Sequence, residues 1–209
     1  MRHHDYRAEM EAVARRQVEV EIATWALSKD GECGDHYLVE RFKDGALVAV
    51  VDGIGHGVEA AKVAKLTLSI LKERADLPVD DLIQQCHAAL RATRGVVLAL
   101  ASFSTRTRTM TWTGVGNVEG KLFTRATAAA PTTLLSSMGT LGQGMVEVRP
   151  TEVPLKSGDT LILATDGVRS DVYLGLDLKK SPKQLADHIL EQSARRSDDA
   201  LVAVARYTE

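Results

Sequence analysis

The chain of 209 residues has little of what staples, anchors or specialises a protein. Aromatics make up only 4%, so the core has to be built from Val, Leu, Ile and Ala. Two cysteines, Cys33 and Cys86, stand in no metal-type spacing. That excludes a disulfide framework or zinc cluster and points to a reduced, cytoplasmic setting. No apolar run reaches the roughly 18 residues that cross a bilayer, which argues against a membrane role. The charged start, Met1 to Asp5, leads into no apolar signal core. A net charge of -2 gives no basic footprint for nucleic acid. There is no repeat, low-complexity tract or linker, so the expectation is one domain over residues 1–209. A chain of this size buries roughly 70% of the surface its unfolded form exposes and needs no staples.

What is present is a sequence of strands and helices in an uneven order. Val18 to Leu27 partly alternates and His36 to Phe42 follows it, both strand-like, with Lys29-Asp30-Gly31 as the turn between. Lys43-Asp44-Gly45 is a hairpin signal, in which Asp-Gly would supply positive φ. Ala46 to Val51 is continuously apolar, as in a strand buried on both faces. From Val58 to Arg74 the period becomes helical, and a second helix is expected beyond Pro78, capped by Asp80 or Asp81. Strands resume at Val96 to Phe103, Met110 to Thr113 and Val118 to Phe123, with a short one at Leu134-Leu135. Met145 to Val153 alternates, and Thr160 to Ala164 is fully apolar. Ser181-Pro182 opens a third helix as N-cap and first residue, and Ala200 to Tyr207 closes the chain as a strand. Strands, two helices, many strands, one helix and one strand make an α+β arrangement, with helices layered on antiparallel sheets.

Aspartates mark the ends of these segments. Asp35 lies in Gly34-Asp35 and Asp52 begins Asp52-Gly53-Ile54-Gly55-His56-Gly57. Asp166 lies in Thr165-Asp166-Gly167, and Asp198-Asp199 precedes the last strand. Each alone is an ordinary acidic turn. Together they imply one carboxylate cluster, which is tolerable only around hard divalent cations with oxygen ligands. Two such ions a few Å apart can hydrolyse phosphate esters. The glycines after Asp52 allow close backbone approach, so the Gly53 carbonyl is a further ligand candidate. His56 is a candidate proton donor to a leaving alkoxide, or a turn histidine capping backbone. Arg94, Arg106, Arg108 and Arg125 could meet a phosphate, although a solvated surface role is the commoner one. A nucleotide loop is a weaker alternative, because Gly53-x-Gly55-x-Gly57 is not G-x-G-x-x-G.

The motif Asp52-Gly-x-Gly-His-Gly before a helix resembles a signature of the SpoIIE-type branch of the metal-dependent type-2C (PPM) protein phosphatases. The other motifs follow in that branch's order: Gly34-Asp35-His36-Tyr37, Val115-Gly116-Asn117, Leu155 to Val168 with its Thr-Asp-Gly, and Asp198-Asp199 before a closing strand. The resemblance implies two packed antiparallel sheets flanked by helices, an αββα sandwich. It also implies phosphoserine or phosphothreonine hydrolysis by a hydroxide shared between two Mn²⁺ or Mg²⁺ ions. Asp52 would bridge both ions, with the Gly53 carbonyl completing one site. Asp166 and Asp198 would hold the other, Asp35 would support the cluster, and Asp199 is a further candidate ligand. A bare catalytic domain of this branch implies a phosphorylated STAS-domain partner of the stressosome or anti-sigma-antagonist kind. Leu201 departs from the branch, whose ending motif has Thr there. A catalytically weak, phosphatase-like binding protein is the remaining alternative.

Overall fold

The computed structural model describes residues 17–27, 32–124 and 130–208. The turn expected at Lys29-Asp30-Gly31, His3 and His4, and Arg125 lie outside the described residues. The strands are β1 (Val18–Trp25), β2 (Asp35–Phe42), β3 (Gly45–Gly53), β4 (Val96–Ser104), β5 (Thr109–Val115), β6 (Glu119–Phe123), β7 (Thr132–Leu134), β8 (Thr151–Pro154), β9 (Thr160–Ala164) and β10 (Ala200–Tyr207). They form two five-stranded sheets, ordered β1-β10-β9-β6-β7 and β2-β3-β4-β5-β8. Every strand pairing in both sheets is antiparallel. The helices are α1 (Val58–Glu73), α2 (Val79–Ala89) and α3 (Pro182–Ser193).

The continuously apolar strands are buried on both faces because each lies between the sheet-to-sheet core and a helix layer. In β3, Val48 and Val50 point into the central core with Val97 and Ala99 of β4 and Leu201 and Ala203 of β10. Leu47, Ala49 and Val51 point the other way, under α1 and α2. The second sheet does the same: Leu161 and Leu163 face inward, while Ile162 and Ala164 face α3. The result is an αββα sandwich. The chain enters β4 from β3 through two helices, yet the two strands are antiparallel neighbours. No βαβ crossover exists among the described residues, so the nucleotide-loop alternative has no scaffold.

Some local expectations change. In the β2–β3 hairpin Phe42 pairs with Gly45, and positive φ is found at neither Lys43, Asp44 nor Gly45. Gly45 is needed for room instead, since a Cβ there would sit 1.8 Å from the Phe103 carbonyl oxygen. The alternating stretch from Met145 becomes a strand only at β8. Its Val146 and Val148 pack onto the α1–α2 core without sheet pairing, so alternation here records burial of one side and no ladder. Pro78, with no side-chain bond, occupies the N-cap of α2, and Asp80 and Asp81 lie in its first turn. At α3 the expected cap is present: Ser181 Oγ accepts from Gln184 N, with Gln184 bonding back to the cap backbone and Pro182 at the first position.

Candidate active site

The two sheets deliver their acids to the same end of the sandwich. Asp35 opens β2 and Asp52 lies near the end of β3, and the register sets them directly opposite each other. Like charges in a cross-strand pair destabilise a sheet. The other acids come from two loops of the second sheet, where β9 ends at Ala164 and where β10 begins at Ala200. Gly167 lets these loops close: a Cβ there would lie 1.8 Å from the Asp199 carbonyl oxygen. Gly53 performs the same service for α1, since its Cβ would lie 2.2 Å from the Ala60 carbonyl oxygen.

Asp35, Asp52, Asp166, Asp198, Asp199 and His56 all line one cavity of about 560 Å³. Gly53 is buried beneath α1 and is not part of that lining. Each acid has a different environment. Asp35 is 6% exposed and accepts a 2.6 Å bond from Thr165 Oγ1, which itself accepts from Leu201 N at 2.9 Å. One buried hydroxyl thus ties the first sheet's acid to the second sheet. Asp199 accepts from Leu27 N at 2.9 Å with one oxygen and from Gly34 N at 2.7 Å with the other. Asp166 accepts from Asn117 Nδ2 at 2.7 Å, and Asp198 accepts from Asp199 N at 2.9 Å. The Asp52 carboxylate accepts no hydrogen bond from any described residue.

The electrostatics follow from that arrangement. Burial, and then the charges of Asp35, Asp166, Asp198 and Asp199, push Asp52 up to about 8. Burial chiefly pushes Asp35 up to about 7, against the lowering effect of the Thr165 bond. Asp166 is raised by burial and then by Asp198, with Arg195 and Asn117 acting the other way. Burial pushes both thiols up to about 12, which makes Cys33 and Cys86 poor nucleophiles.

Several residues at the site carry little signal in the sequence. Thr165 and Asn117 sit inside recognisable motifs but look like turn residues there. Met138, in an irregular loop, lines the cavity with no local pattern to announce it. Arg94 donates from Nη1 to the Ile54 carbonyl at 3.1 Å and so braces the glycine turn behind Asp52.

The donor set is all oxygen and its charge is uncompensated, which suits hard divalent cations. Among the described residues, no group of three or more Asp, Glu, His or Cys side chains stands arranged to hold a metal ion as it is. The fit of these residues to such a cation is one of donor chemistry.

The antiparallel double sheet with acids at one end is the architecture of the PP2C-type phosphatases. In structure, the chain resembles the PP2C phosphatase domain of SpoIIE from Bacillus subtilis, with a TM-score of 0.73 and 22% identity over 91% of this chain and 63% of that one. The model of the family described as stage II sporulation protein E (SpoIIE) matches residues 43–208. The chain belongs to that family, and it is a protein serine/threonine phosphatase. It is 22% identical over 183 residues to the phosphoserine phosphatase RsbX of Bacillus subtilis (strain 168), covering 86% of this chain and 91% of RsbX. A crystal structure of RsbX in complex with magnesium superposes with a TM-score of 0.78 and 21% identity, over 92% of this chain and 96% of that one. A solved structure from a study of the bacterial stressosome, as a modular system adapted to control secondary messenger signalling, is 30% identical with a TM-score of 0.81. It is matched over 91% of this chain and all of its own.

Proposed function

We propose that the protein is a divalent-metal-dependent phosphatase that hydrolyses phosphoserine or phosphothreonine on a cytoplasmic signalling partner of the stressosome or anti-sigma-antagonist, STAS-domain kind. The observation that carries this is the convergence of acids from both sheets on one cavity: Asp35 and Asp52 from the first, Asp166 and Asp198 from the second. The similarity to RsbX and to a stressosome structure supports the partner class. Among the described residues no helix is long and apolar enough to cross a membrane.

In this reading Asp52, Asp35, Asp166 and Asp198 hold two Mg²⁺ or Mn²⁺ ions, with the Gly53 carbonyl as a further donor. The ions supply an activated water at neutral pH and neutralise charge on the phosphoryl oxygens. The chain's own residues do the rest. Thr165 fixes one oxygen of Asp35 and leaves the other free to face the cavity. Asn117 orients Asp166. Asp199, with both oxygens taken by backbone N–H groups, fastens the start of β2 so that Asp35 meets Asp52. His56 on the glycine turn gives a proton to the leaving serine oxygen. The test is release of phosphate from a phosphorylated STAS-domain protein, with Mg²⁺ or Mn²⁺ and again with excess EDTA. The expected result is turnover that EDTA abolishes reversibly. Full activity in EDTA would overturn the metal reading, and no turnover on any phosphoprotein would overturn the function.

A further inference from the structure

We propose that this phosphatase selects its substrate by an aliphatic side chain next to the phosphoserine, buried against Met138 and Ile54 on the rim of the carboxylate cavity. The inference rests on the phosphoprotein reading above and deepens it. Both residues line the cavity that holds the aspartates. Met138 is 93% exposed and Ile54 is 36% exposed. An exposed methionine on a loose loop would be unremarkable, but the backbone beneath this one is fastened. Ser137 N donates to the Gly114 carbonyl at 2.8 Å, and the Ser137 carbonyl accepts from Gly116 N at 2.9 Å. A little further on, Leu141 exchanges bonds of 2.9 and 3.2 Å with Val96. Ile54 is held equally well: its N–H donates to the Gly95 carbonyl at 3.1 Å and its carbonyl accepts from Arg94. Gln143 Nε2 then donates to the Arg94 carbonyl at 2.7 Å. Residues 94–96 therefore tie both rims into one frame.

A protein whose phosphoserine enters this cavity meets residues of its lining, Met138 and Ile54 among them. An acidic neighbour would be repelled by the carboxylate floor; a lysine would be drawn towards that floor with its ammonium kept in water, and so covers the two apolar side chains less fully than an aliphatic one. An aliphatic neighbour gains by leaving water. Methionine, unbranched and adaptable, accommodates such side chains of different shape.

The test uses phosphoserine nonapeptides identical except for Leu, Ala or Lys at the position before or after the phosphoserine, with the full chain and Mg²⁺. The expected result is a kcat/KM at least about tenfold higher for a Leu peptide than for its Ala counterpart, carried by KM. In Met138→Ser that preference falls to about threefold or less, and Ile54→Ser moves the same way. Similar cleavage of all wild-type substrates, a preference for Lys, or a Leu preference that survives in Met138→Ser would overturn this inference while leaving the phosphatase reading intact. Failure of the wild type to cleave any peptide or phosphoprotein would overturn both.

Discussion

Asp52 faces Asp35 across adjacent strands, and no described residue donates a hydrogen bond to its carboxylate. In the proposed reaction its charge would serve catalysis at the expense of the free protein. Asp52→Asn should lower kcat/KM on a phosphoprotein by at least about a thousandfold, since it removes the proposed bridging ligand. In EDTA the same variant should melt above the wild type by a few degrees, because a buried carboxyl, and then its repulsion by the neighbouring acids, is gone. A variant that kept most of its turnover, or melted lower in EDTA, would refute the cluster. Thr165 tests the frame around it. Thr165→Val leaves the Asp35 carboxylate and the Leu201 N–H without their shared hydroxyl, which should cost about 1–3 kcal/mol in chemical denaturation. Thr165→Ser keeps that hydroxyl and should recover most of the loss. Equal stabilities for the two variants would deny the hydroxyl its bridging role.

Among the elements, the loops after β9 and before β10 bring Asp166 and Asp198 together only because Gly167 has no side chain. Gly167→Ala would force a methyl against the Asp199 carbonyl, which is backbone and cannot swing aside. The expected outcome is a loss of about 1–3 kcal/mol in denaturant unfolding, together with weaker activity as the loops part. Wild-type stability would show that the loops approach less closely. The same elements mark how far the sequence could be read. Ala46 to Val51 was legible because burial on both faces leaves an uninterrupted apolar run, and that run placed Asp52 at a rigid strand end. The stretch from Met145 to Val153 was misleading because alternation records which side is buried and not whether a strand pairs. Gly45 was legible as a turn, but its reason, the Phe103 backbone, comes from a strand nearly sixty residues away. The bonds from Asp199 to Leu27 and Gly34 are likewise set by tertiary approach alone. The same holds for Met138, whose exposure on a fastened backbone has no local signature. Leu201, the departure at the closing motif, buries its side chain in the central core and meets Thr165 through its N–H, so the bond to Thr165 asks nothing of that side chain.

For the whole molecule, the raised carboxyls make stability depend on pH in a direction opposite to that of most acidic residues. Below about pH 4 the carboxyls of Asp35 and Asp52 are protonated whether the chain is folded or not. From there up to roughly 7 for Asp35 and 8 for Asp52, the unfolded chain has released these protons while the folded chain still holds them. The folded state binds more protons over that range, so its stability falls as pH rises and levels off above both values. In the proposed reading divalent cations reverse the sign, because they would bind the ionised carboxylates and stabilise the folded state by mass action. In EDTA, thermal unfolding should therefore occur at lower temperature at about pH 8.5 than at about pH 5.5, and millimolar Mg²⁺ or Mn²⁺ should raise it more at the higher pH. Asp52→Asn should flatten both responses. A metal-free protein that melts at the same temperature or higher in alkaline buffer, with no gain from either cation, would mean that the two sheets do not hold their acids against one another.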